Sequence, residues 1–260
     1  MNEKLRAILS APEPSRETNF DRAFASQNAI LVFIVPSFLM KKRTKIFILS
    51  GLALCLVASA GTFFTVKKIR SAEYAYAQSL EARERGDGDT MLRWLSVAGA
   101  RGDVRAQMQL AVGFETGAFG GIKDEKIAAG WYEKAAQSGN AVAQFNYGTF
   151  CWTGRGGVPA DRKQAVEWWE KASENGILNA KTNLGICYRD GLGVEKDIDK
   201  ARNLFIDAAT GKHLEAQYQL GQLFESENNR ERALYWLEKA ASGGHEKAKK
   251  RFEQLAGTHL

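Results

Sequence analysis

The residues that could do chemistry are few, and none completes a reactive set. His245-Glu246 starts like the H-E-x-x-H helix of zinc proteases, where two histidines one turn apart hold the metal. Here the fifth position is Lys249, so the second ligand is missing. His213 and His259 have no further ligand types beside them in sequence. Gly154-Arg155-Gly156 and Gly191-Leu192-Gly193 are G-x-G fragments without a third glycine and follow no strand, so they read as loops and not as a phosphate cradle. Gly211-Lys212 lacks the glycine five residues earlier that a P-loop needs. Cys151 and Cys187 read as small buried apolar residues. No nucleophile, base and orienting group can be named together, which argues against an enzyme and gives no catalytic residue, metal ligand or cofactor site.

The polar residues that do recur are amides: Gln109, Asn146, Asn183 and Gln219. An amide offers both donor and acceptor, which suits gripping the backbone of an extended peptide whatever its side chains. The same ladder could instead bond between neighbouring elements and hold the structure together. Beside it lie positions that differ from copy to copy, Met108, Phe145, Thr182 and Tyr218 in one column and Glu115, Trp152, Arg189 and Glu225 in another. Trp, Tyr and Arg are the usual energetic anchors of interfaces. The candidate partner-binding residues are therefore Gln109, Asn146, Asn183 and Gln219 with Trp152, Arg189, Tyr218 and Glu225.

What must position these columns is a tandem repeat. Ala106, Ala143, Ala180 and Ala216 open similar stretches 37, 37 and 36 residues apart, and Ala248 follows after 32. A period in this range marks a stacked array, in which each unit buries its apolar face against the next. The first segment of a unit places small and apolar residues at i, i+4 and i+5, as in Ala180, Leu184 and Gly185, and reads as helix A. Its recurring glycine predicts a neighbour too close for a side chain. After a glycine loop, Asp87, Asp124, Asp161, Asp197 and Asn229 form a column of N-cap residues that open helix B. Helix B carries Trp94, Trp131, Trp168, Leu204 and Trp236, each followed four residues on by an alanine, which predicts bulky rings packed against small neighbours. It ends at Gly102, Gly139, Gly176 and Gly244; the third copy has Lys212 there and Gly211 one place early.

The pattern A-x-x-x-L-G, then G-x-G-V-x-x-D-x-x-K-A, then an aromatic and K-A-A-x-x-G resembles the Sel1-like repeat, a relative of the tetratricopeptide repeat with a longer loop between its helices. Ala180, Leu184, Gly185, Tyr188, Gly191, Gly193, Val194, Asp197, Lys200 and Ala201 carry it best, with Trp131, Lys134, Ala135, Ala136 and Gly139. It covers roughly the last 190 residues. The resemblance implies an all-α solenoid, a right-handed superhelix of antiparallel helix pairs. It also implies that the A helices line the concave surface, and that the four amides grip a protein partner there as asparagines do in related arrays. Some bacterial relatives with such leaders are periplasmic immunity proteins that neutralise lipase-type effectors of type VI secretion systems, which makes a secreted toxic effector an expected partner. Others carry a disulfide in each repeat and bind penicillin; the regularly spaced cysteine pairs are absent here, which argues against β-lactam or peptidoglycan hydrolysis.

The expected organisation is a leader over 1–40, a membrane or signal segment over 41–68, a partial capping repeat over 69–102, four repeats over 103–244 and a closing helix over 245–260. The stretch 46–66 is 21 residues without a charge, flanked by Lys41, Lys42, Arg43 and Lys45 before and Lys67, Lys68 and Arg70 after, long enough for a transmembrane helix. Read from Met40, the same stretch has the form of a secretory signal cleaved after Ala60. One reading tethers the repeats to the inner membrane, facing the periplasm, as an immunity protein or as an adaptor of an envelope complex. The other releases them into the periplasm. The net charge of +6 belongs to this region: the first 70 residues hold 11 basic and 4 acidic side chains, the remainder 25 and 26. The repeats thus have no overall pull on nucleic acid, and the array reads as a monomer in isolation.

Overall fold

The computed structural model describes residues 71–257, which form eleven α-helices joined by turns and loops, with no strand among them. The leader expected over 1–40 and the membrane or signal segment expected over 41–68 lie outside the described residues, as does His259. Among the described residues no helix is long and apolar enough to cross a membrane.

The described residues fall into two compact units, one ending at Gln107 and the other starting at Met108. In the first, α1 (Ala72–Glu84) packs on α2 (Gly88–Ala100), with Tyr74 edge-on to Trp94 at 6.0 Å between ring centroids. Asp87 caps α2 through the Thr90 N–H at 3.0 Å.

Helix α3 (Val104–Thr116) runs from the first unit into the second. There follow α4 (Glu125–Gln137), α5 (Ala141–Thr153), α6 (Arg162–Glu174), α7 (Leu178–Asp190), α8 (Ile198–Thr210), α9 (Leu214–Ser226), α10 (Arg230–Ser242) and α11 (Glu246–Gly257). From α4 onward each helix packs on its neighbours in sequence, as a stacked array requires. The odd-numbered helices α3 to α9 are the A helices of the repeat, the even-numbered ones from α4 the B helices, and α11 closes the array.

All five predicted helix B caps form: Asp124, Asp161, Asp197 and Asn229, like Asp87, each accept a backbone N–H of the first turn. The helix ends follow the glycine pattern, and in the third copy Lys212 itself adopts the left-handed conformation at φ 62. The displaced Gly211 has a different task. A Cβ there would lie 2.8 Å from Leu178 Cδ1, so the residue clears space for the start of α7.

The core corrects one expectation. Trp131, Trp168, Leu204 and Trp236 are only half-buried; the residues driven fully inside stand one place later, Tyr132, Trp169, Phe205 and Leu237. The reason is the glycine column of helix A. Cβ atoms at Gly148, Gly185 and Gly221 would come within 2.8 Å of Trp169, 2.4 Å of Phe205 and 2.8 Å of Leu237, so those side chains occupy the space the glycines leave. Trp168 turns to the flank, edge-on to Tyr147 at 5.6 Å and covered by the Lys171 ammonium at 4.1 Å.

The loops between A and B helices dock on the preceding repeat. At Gly193, φ is +79 and a Cβ would meet Arg162 O at 2.7 Å; at Gly156, φ is +64 and a Cβ would meet Glu125 O at 2.6 Å. Each loop therefore lays bare backbone on the start of the previous helix B. The fourth copy has no such loop, and a short turn through Asn228, at φ 57, joins α9 to α10.

Candidate functional site

The A helices carry a stripe at i, i+4, i+7 and i+11 that is at least partly open to solvent: Val142, Asn146, Thr149 and Thr153 on α5, and Asn179, Asn183, Ile186 and Asp190 on α7. The four predicted amides sit on it, but the structure gives them different tasks. Gln219 accepts from Arg189 Nη1 at 2.6 Å and donates to Glu215 Oε1 at 2.6 Å, so it ties α7 to α9. Asn146 lies beside the Tyr132 hydroxyl, which donates to Glu115 Oε2 at 2.8 Å. Burial, joined by Glu115, pushes the Tyr132 phenol well above its ordinary range, so it remains a hydroxyl donor. Gln109 is exposed on α3. Asn183 is half-buried on α7, and among the described residues it makes no hydrogen bond.

The neighbouring column, like Tyr218, is drawn into contacts within the array. Glu115 accepts from Arg155 Nη2 at 2.7 Å, across 40 residues of sequence, which anchors the second loop. Trp152 is half-buried, tilted against Trp169 with centroids 5.2 Å apart, and the Arg162 guanidinium lies 5.2 Å over its ring. Arg189 forms a two-point bridge with Asp190, both bonds 2.7 Å, besides its bond to Gln219. Glu225 is paired by Arg251 of the closing helix. Tyr218 stacks on His245 at 4.7 Å and accepts from Gln222 at 2.9 Å.

Two polar columns were missed by sequence reasoning. Gln107, Gln144 and Gln217 are buried and donate to the carbonyls of Gly99, Ala136 and Ala209, eight residues earlier, at 3.0, 3.3 and 3.1 Å. These, two residues before the predicted ladder, are the amides that stitch the end of helix B to the next helix A. The second column caps the A helices and the closing helix: Asp103, Asn140, His213 and His245 accept from the N–H three residues on, whereas Ile177 makes no side-chain cap. Both histidines are thus caps. His213 Nε2 donates to Asn179 Oδ1 at 2.6 Å and His245 Nε2 to Glu215 Oε2 at 2.9 Å, which leaves each Nδ1 to accept.

Cys151 and Cys187 are buried and free, and burial pushes both thiols up to about 11, which keeps them protonated and unreactive. Among the described residues no three His, Cys, Asp or Glu side chains gather to hold a metal ion.

Tandem antiparallel helix pairs, with a small residue in helix A under a bulky one in helix B, define a helical repeat protein of the tetratricopeptide-like class. The Sel1 repeat matches residues 104–140, 141–177, 178–213 and 214–245, more than half of the chain, and the chain belongs to that family. No curated protein matches the sequence. Among solved structures it is similar to a Sel1 repeat protein from Oxalobacter formigenes, with 27% identity over 75% of this chain and 83% of that one and a TM-score of 0.58. It is also similar to c5321, a protective antigen of uropathogenic Escherichia coli with an SLR fold, at 23% identity over 72% of this chain and 41% of that one, TM-score 0.62. Immunity protein Pa5087 from Pseudomonas aeruginosa matches at 26% identity over 67% of each chain; its TM-score of 0.41 lends no weight to a shared function.

Proposed function

We propose that the array is a non-catalytic module that holds a protein partner along the solvent-facing stripe of its A helices, centred on Asn183. The observation that carries this reading is the contrast within the ladder. Asn146 and Gln219 serve contacts inside the array, whereas Asn183 keeps donor and acceptor unengaged among the described residues. Trp152, half-buried on α5, has the aromatic side chain of a usual interface anchor, whereas Arg189 is engaged by Asp190 and Gln219. Membership of the Sel1 repeat family supports protein binding as the class of function. Asn183→Ala is expected to change unfolding free energy by less than about 0.5 kcal/mol while weakening partner capture. A clear loss of stability in that variant would instead make Asn183 a structural residue.

The finer reading places the repeats on the extracytoplasmic side of the inner membrane, tethered through 46–66 or released after Ala60, with a secreted lipase-type toxin as partner. The charge-flanked apolar stretch supports the location, and family resemblance supports the partner. Alkaline phosphatase fused after Leu260 should be active in the envelope; an inactive fusion places the repeats inside. A candidate toxin that keeps full activity beside the purified protein removes the immunity role and leaves the membrane-tethered adaptor.

A further inference from the structure

The solvent-facing stripe is unusual in where its charges go. Between α3 and α9 each charged group of the flanking column is already held: Glu115 by Arg155, Arg189 by Asp190, Glu225 by Arg251. Glu215, at the α9 end, accepts from His245 and Gln219. Arg162 is laid over the Trp152 ring. The hydroxyls of Thr116, Thr149 and Thr153 are turned back to carbonyls of their own helices, at 2.8, 3.0 and 2.8 Å. The same stripe exposes Val112 at 43% and Val142 at 48%, two of the three large hydrophobic residues that are exposed among the described residues. They stand three residues after Gln109 and four before Asn146, hence beside the amide positions on their helices.

We infer that the segment recognised by this face is uncharged: an extended peptide or loop that sets apolar side chains against Val112, Val142 and Trp152 and its backbone against Asn183. This inference rests on the proposed partner-binding role of the same face. An ionised side chain brought onto the stripe would give up water and find no unpaired opposite charge, a cost that nothing there offsets. The neutral face thus rejects charged segments as well as accepting apolar ones. Recognition is accordingly insensitive to ionic strength, since no ion pair forms across the contact.

The test is selection of random peptides displayed on phage against the full-length protein in non-ionic detergent. It is followed by affinity measurements at about 0.05 and 0.5 M salt, which bracket a severalfold change in screening length. Selected peptides should lack Asp, Glu, Lys and Arg in their shared positions, and their affinity should change by less than about threefold with salt. Val142→Glu, at an exposed position, should weaken them at least about tenfold and shift a repeated selection toward Lys and Arg. Peptides sharing a charged position and weakened by salt, yet lost with Asn183→Ala, would overturn the uncharged-segment inference and keep the binding face. Peptides indifferent to both Asn183→Ala and Val142→Glu, or no selected peptide at all, would overturn the binding face and this inference with it.

Discussion

Adjacent aromatic residues on one helix have different energetic weight because only one of them faces the helix A glycine. Trp169 is 3% exposed, fills the space above Gly148 and donates from Nε1 to the Phe145 carbonyl at 3.1 Å, whereas Trp168 lies half-buried on the flank. Trp169→Ala should therefore cost about 3 to 5 kcal/mol, through cavity and lost contacts, and Trp168→Ala about 1 to 2 kcal/mol. Urea unfolding of the two variants measures this, and equal losses would show that the glycine column does not set the packing. A second residue-scale effect concerns pH. Burial lowers the affinity of His213 for a proton, against an opposing pull from Glu215, and its neutral Nδ1 caps α9 beside Thr182 and Asn179. With the folded-state value below the ordinary 6.5, the contribution is complete above that pH and is lost as pH falls through the folded value. Melting at pH 8 and pH 5.5, values chosen about one unit or more either side of the ordinary His pKa, should show a larger drop for the wild type than for His213→Asn. The variant keeps a good cap and cannot titrate. Parallel drops would assign the acid sensitivity to carboxylates such as Glu215, which His245 and Gln219 hold low against the opposing effect of burial.

Elements differ in how far the sequence announces them. The period, the Asp caps of helix B and the glycine ends of the helices are written as single residues in fixed columns, and each has a local cause that no neighbour can override. The register of helix B is not written that way. Trp168 and Trp169, or Trp236 and Leu237, are adjacent and both bulky, so periodicity cannot say which faces inward. The clearance above Gly148 and Gly221 decides it, and that is a property of two helices together. The histidine caps were hidden because His is not among the usual cap residues. Their signal was positional, a column with Asp103 and Asn140 three residues before each helix-opening alanine. The loops add a testable contrast between two glycines of positive φ. Gly193 lies against the Arg162 backbone, whereas a Cβ at Gly176 would meet nothing within 4 Å. Gly176→Ala should cost only the conformational term of about 1 to 2 kcal/mol, and Gly193→Ala about 2 to 4 kcal/mol because the loop must also lift from α6. Equal costs in denaturant unfolding would mean that loop docking contributes nothing.

At the scale of the whole array, stability should follow the chain of neighbour contacts rather than a single centre. Residues from Val166 to Ala233 share one continuous cluster of buried side chains, in which Trp169, Leu184, Phe205 and Leu220 lie between repeats. The end of the array is held differently. Leu237, Ala240 and Ala248 form a separate small cluster with Tyr218, Phe252 and Leu255 at its edge, and no glycine loop pins the fourth repeat to the third. Beyond that cluster the closing helix is held by the Tyr218–His245 stack and by polar contacts, His245 to Glu215, Arg251 to Glu225 and Arg230 to the Leu255 carbonyl, of which the Arg251–Glu225 bridge lies near the surface and is open to screening. In a linear array such an end opens without the middle. Amide hydrogen exchange should therefore show α10 and α11 opening at lower free energy than α6 to α8. Leu237→Ala, which empties the space over Gly221, should lower protection in α9 to α11 by about 2 kcal/mol or more while changing α5 and α6 by less than about 0.5 kcal/mol. A uniform loss across all these helices would mean that the array unfolds as one cooperative body. The stripe around Asn183 would then share the fate of the closing helix, instead of keeping its shape while the end frays.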